Sequence, residues 1–194
     1  MRRISRLAIC FLGISSAAFA DPVTIFGVPM GEAFDLPQCA EEHPITVAAN
    51  CWTYEFDPGL MPQSMNMRTL HFANPPALGH DITAFVDDGI VDIITIETAS
   101  LDAQDSIMAQ LKQKFGKPTH FAKVSAQNRM GAKFVADRAE WSTPQIFVRY
   151  DADASDGGMH EGTLDHGWIA IETQKKHIES EKAHDEYLKK QQQL

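Results

Sequence analysis

The best candidate site for chemistry is an acidic, Gly-rich loop, Asp151 to Asp165. Asp151-Ala152-Asp153-Ala154-Ser155-Asp156-Gly157 places oxygen ligands at alternate positions, as a calcium-binding loop does. The EF-hand spacing is broken, because Asp156 stands where glycine is needed and Gly162 where the bidentate Glu is needed; Glu161 comes one residue early. The stretch therefore reads first as a solvated acidic hairpin loop. Ca²⁺ held by Asp151, Asp153 and Ser155 is the alternative. Eight histidines (His43, His71, His80, His120, His160, His166, His177 and His184) are scattered, none in the H-E-x-x-H or other zinc spacing. His160, Glu161, Asp165 and His166 are close enough in sequence to converge, which makes Zn²⁺ on His160 and His166 a second alternative. His80-Asp81 reads as a loop pair, and His71, between Leu70 and Phe72, as facing solvent or a partner.

Nucleophilic machinery is missing from the sequence. There is no G-x-S-x-G, no S-x-x-K and no phosphate-binding G-x-x-x-x-G-K-[ST]. Glu97 and Glu172 end two similar strand-like segments, but strand-end glutamates are ordinarily solvated. The expectation is a protein without a catalytic set, metal or cofactor. The rival is a small exported metal-dependent hydrolase using His160, Asp165 and His166 of the 160–166 loop, with Glu172.

The elements that must position these groups begin after residue 20. Arg2, Arg3 and Arg6 precede an apolar run, Leu7 to Phe19, and Ala18-Phe19-Ala20 matches an A-x-A cleavage site. The run is short for a membrane span, and Asp21 stands where a lipoprotein would carry cysteine. Cleavage after Ala20 predicts a periplasmic or secreted chain with no membrane span. Removing three arginines takes the formal charge from −9 to −12. Such a surface repels nucleic-acid phosphates and anionic lipid. Of the three cysteines, Cys10 leaves with the leader; the even pair Cys39 and Cys51 predicts a disulfide in an oxidising compartment.

Periodicity then gives an α+β chain: antiparallel sheet packed on one main helix over residues 101–115. Ile107, Met108, Leu111 and Phe115 share one helical face, Asp102 suits the N-cap, and Gly116 with Pro118 ends the helix. Strands are expected at 51–56, 68–72, 82–86, 90–97, 119–124, 134–141, 145–150 and 167–172, with a short β-leaning run at 23–26 and a helical turn near 31–34. Asp87-Asp88-Gly89 is a hairpin signal. Ile94-Thr95-Ile96-Glu97-Thr98 is matched by Ile169-Ala170-Ile171-Glu172-Thr173, the pattern expected of two degenerate repeats, 21–100 and 101–173. Residues 174–194 are charged, free of Gly and Pro, and read as a solvated helical tail.

The run Lys112-Gln113-Lys114-Phe115-Gly116-Lys117-Pro118, a strand carrying Trp141, and a closing Gly-x-Ile-x-Ile at Gly167 to Ile171 together resemble the small α+β module of the BamE-like and β-lactamase-inhibitor-like proteins. The resemblance covers residues 101–173 and, more weakly, 23–98 as a first copy. It implies an exported protein that binds another protein, as an assembly factor or an inhibitor. Two features depart from that group: Asp21 provides no lipid anchor, and no inhibitor hot-spot motif is matched. The expected function is an exported, non-enzymatic protein-binding module. Its expected contacts are Tyr54, Phe56, Tyr150, Asp153 and Asp156.

Overall fold

The β-branched, alternating runs form a large antiparallel sheet and a separate two-stranded one in the computed structural model, which describes residues 22–41, 44, 46–54, 66–99, 101–127, 132–153 and 166–192. A two-stranded hairpin comes first, β1 (Thr24–Ile25) and β2 (Val28–Pro29). The large sheet contains β3 (Cys51–Tyr54), β4 (Met67–His71), β5 (Ile82–Asp87), β6 (Ile90–Thr98), β7 (His120–Gln127), β8 (Lys133–Ser142), β9 (Ile146–Asp151) and β10 (Gly167–Thr173). Their order is β3-β4-β5-β6-β10-β9-β8-β7. Two four-stranded meanders are thus joined through their last strands. The two Ile-x-Ile-Glu-Thr segments lie side by side, with Ile96 opposite Ile169, Thr95 opposite Ala170 and Ile94 opposite Ile171. The architecture is α+β with the sheet dominant; the described residues form two α-helices, α1 (Gln104–Phe115) and α2 (Gln174–Gln191).

Alternation divides the sheet into two faces. On one, Leu70, Ile82, Ile96, Ile169, Tyr150 and Ala139 follow one another across six strands and are all buried. Ala84, Ile94, Ile171, Val148 and Trp141 form the next row. Helix α1 contributes Ile107, Met108 and Leu111 to this core. Gln104 fixes its N-terminal end to β8, accepting from the Asp137 N–H (3.0 Å) and donating to the Val135 carbonyl (3.2 Å). Trp141 fixes the other end, its Nε1–H donating to the Gly116 carbonyl at 2.9 Å. Gly116 ends the helix at φ 80°, a conformation glycine adopts without strain. Asp102 is not the N-cap expected of it: it lies in a 3₁₀ turn, Leu101–Ala103, and Ala103 precedes the helix without a side-chain cap.

The N-terminal segment also departs from expectation. No helical turn forms near residue 31. The Gly31 and Phe34 N–H groups bond instead to the Val91 and Gly89 carbonyls, and Ala33 bridges to Ile90. Strand partners satisfied these backbone groups where a four-residue helix would leave most of them open. The segment then crosses to β3, where Gln38 bridges to Trp52 in parallel and the Cys39–Cys51 disulfide closes the link. No helix among the described residues is long and apolar enough to cross a membrane. The leader and cleavage site assigned from sequence lie outside the described residues.

Tyr150 shows how tightly the core is closed. Its side chain is fully buried, and its hydroxyl finds no hydrogen-bond partner among the described residues. Burial, then the nearby Asp137 and Asp151, push its pKa well above the usual phenol value. An unpartnered buried hydroxyl costs free energy. Tyr150→Phe is therefore expected to be neutral or to stabilise by up to about 1 kcal/mol. Urea titration measures it; a loss above about 1 kcal/mol would mean that the hydroxyl has a partner.

Candidate functional site

The other face of the sheet carries a row of threonines and charged groups, with Phe85 and Trp168 among them. Thr53, Thr69, Thr83 and Thr95 are successive neighbours across β3 to β6, continued by Ala170, Arg149 and Glu140 across β10 to β8. Phe85, Ile93 and Glu172 make a second row and are half-buried, as are Trp168 and Glu97, which oppose each other. Arg149 pairs with Glu140 (3.3 Å) and Arg138 with Asp151 (2.6 Å). Burial still raises the Asp151 pKa against the pull of Arg138.

Two glycines shape one end of this face. A Cβ on Gly79 would meet the Glu97 carbonyl oxygen, and one on Gly167 would lie 2.7 Å from Thr98 Oγ1 and 2.8 Å from the Asp151 carbonyl oxygen. The chain entering β5 and the chain entering β10 therefore both press against the end of β6, as only glycine permits. Each glycine has a histidine beside it, His80 after the first and His166 before the second. The His80 N–H donates to the Glu97 carbonyl at 3.0 Å. His166 Nδ1 lies 3.0 Å from Glu97 Oε1, and the two imidazoles meet edge to face with centroids 5.9 Å apart. One ligand-capable atom from each of His80, Glu97 and His166 lies within 4.8 Å of the other two. Asp81 Oδ2 stands 3.5 Å from His80 Nδ1. A cleft of ≈ 290 Å³ opens alongside, lined in part by Thr46, His71, His80 and Asp81. His71 shares a 2.9 Å hydrogen bond with Thr53, and burial lowers its pKa against the opposing effect of Asp81.

Helix α2 starts on the same face. Thr173 accepts the Lys176 N–H as N-cap and donates to Asp92 of β6. His177 stacks on Phe147 with centroids 3.6 Å apart and stands 3.4 Å from Glu172. A second cleft, ≈ 370 Å³, lies between this turn and the strands, lined by Arg149, Trp168, Glu172, His177 and His184 among others. No residue of α2 is buried, so the helix runs out into solvent as its charge pattern predicts.

The expected contact residues do not gather. Tyr54 is exposed on edge strand β3, with Arg68 over its ring at 4.6 Å. Tyr150 and Asp153 must be withdrawn: Tyr150 is in the core and Asp153 is 7% exposed. Phe56 and Asp156 lie outside the described residues. The calcium alternative loses Asp151, whose carboxylate is engaged by Arg138, while Ser155 lies outside the described residues. Of the zinc alternative, His166 is brought to Glu97; His160 and Asp165 lie outside the described residues. Sequence reading missed His80 and Glu97 as its neighbours. The available signal was the pair of dipeptides Gly79-His80 and His166-Gly167 at the entries of two strands. Comparison with protein-family models, with curated proteins and with solved structures found no match.

Proposed function

We propose that this chain is an exported, non-enzymatic module that binds another protein through the less covered face of its sheet. One observation supports it above others: the sheet is capped unequally. Its core face lies under α1 and the N-terminal hairpin, whereas Phe85, Ile93 and Trp168 stay half-exposed on the other, among Glu97, Arg149 and Glu172. Aromatics and Arg are enriched at protein interfaces, with polar groups at the rim. The disulfide and the leader-like first 20 residues support export.

Crosslinked pull-down from an envelope extract tests the reading, using the wild type, Trp168→Ala with Arg149→Glu, and Lys112→Glu on the opposite side. A protein captured by the wild type and by Lys112→Glu, but at least tenfold less by the double variant, supports the reading. Equal capture by all three rules out this face. N-terminal sequencing of the exported chain is expected to start at Asp21.

A further inference from the structure

We propose that His80, Glu97 and His166 bind one divalent transition-metal ion, with Zn²⁺ as its probe. The inference stands apart from the partner-binding reading and does not need it. Two imidazoles and one carboxylate are a ligand set that Zn²⁺ accepts, with a fourth position left to water. In a tetrahedral site at ordinary bond lengths, ligand atoms lie about 3.3 Å apart. His166 Nδ1 and Glu97 Oε1, at 3.0 Å, already have that spacing. His80 is the ligand that must close in, and its side chain, 54% exposed, can swing at little cost. Asp81, 3.5 Å from His80 Nδ1, stands where an outer carboxylate orients a ligating imidazole.

A second observation points to a ligand. His166 Nδ1 is a buried atom that makes no hydrogen bond among the described residues, although Glu97 Oε1 stands 3.0 Å away. A simple imidazolium–carboxylate pair would align N–H with oxygen. Two lone pairs converging on a shared ion need no such alignment. The backbone supports the convergence, since Gly79 and Gly167 allow both histidine-bearing segments to close on the end of β6. Nitrogen donors favour Zn²⁺ or Cu²⁺ over Ca²⁺, which prefers an all-oxygen cage.

Isothermal titration of the chelator-treated, disulfide-intact chain with Zn²⁺ tests this, with Ca²⁺ as comparison and thermal melts checking that each variant folds. The expected result is one Zn²⁺ per chain and no Ca²⁺ heat. Affinity should fall at least tenfold in His80→Ala, His166→Ala and Glu97→Gln, and stay unchanged in His177→Ala. Absence of Zn²⁺ binding overturns the proposal and leaves a His–Glu ion pair. So does binding that survives in a His80→Ala variant whose melt shows it folded, or that is lost in a folded His177→Ala variant.

Discussion

Trp141→Ala is expected to lower the unfolding free energy by about 3–5 kcal/mol. Few side chains here join as many parts of the fold. The indole is 1% exposed and lies opposite Val148 in the core row. Its ring meets Phe115 at 6.2 Å, and its N–H holds the carbonyl that follows the last turn of α1. Alanine would leave a cavity that the surrounding β-branched side chains cannot collapse into, and it would release the helix C-terminus. Trp141→Phe separates the two contributions. It keeps most of the apolar area and loses only the hydrogen bond, so a cost of about 0.5–1.5 kcal/mol is expected. Urea denaturation measures both variants. A Trp141→Ala loss below about 1.5 kcal/mol would show that α1 is held chiefly by Gln104 and its own apolar face.

Loss of the disulfide has the next largest expected effect. Replacing Cys39 and Cys51 with serine should cost about 3 kcal/mol, the loop entropy for a separation of 12 residues. Hydrogen bonds join the same segments beside the link. The Cys39 N–H bonds to the Trp52 carbonyl, the Trp52 N–H to the Pro37 carbonyl, and Trp52 Nε1–H to the Leu36 carbonyl. Those bonds tie the N-terminal segment to edge strand β3. Without the covalent tether they must offset the entropy of ordering that segment themselves. Reducing agent should reproduce the loss in the wild type and leave the double serine variant unchanged. A variant as stable as the oxidised wild type would mean that the hydrogen bonds suffice.

The strand assignments were legible because alternation is clear where β6 and β10 pair, small Ala170 aside. Ile94, Ile96, Ile169 and Ile171 are buried, while Ile93, Thr95, Glu97, Trp168 and Glu172 between them are less covered. The main helix was legible from Ile107, Met108 and Leu111, and the tail from its i,i+4 charges. Alternation fails where both phases of a strand carry large groups. In β9, Ile146, Val148 and Tyr150 alternate with Phe147, Arg149 and Asp151. Nothing local says which set meets the core. Pairing with Ile169 and Ala139 placed Tyr150 inside, which is why an aromatic assigned to a partner lies in the interior.

What residues 22–192 carried by themselves was local: period-two runs, one apolar helical stripe, hairpin glycines and a cysteine pair. These follow from backbone sterics and short-range burial, which act over a few residues. The tertiary structure alone decided that β6 and β10 are neighbours, and therefore that Glu97 and His166, 69 positions apart in the chain, stand 3.0 Å apart. It also brought His80 in across Gly79, where one backbone packs against another with no room for a Cβ. Strand order depends on which long-range pairings bury the most apolar surface together, a property of the whole chain that no window of sequence contains.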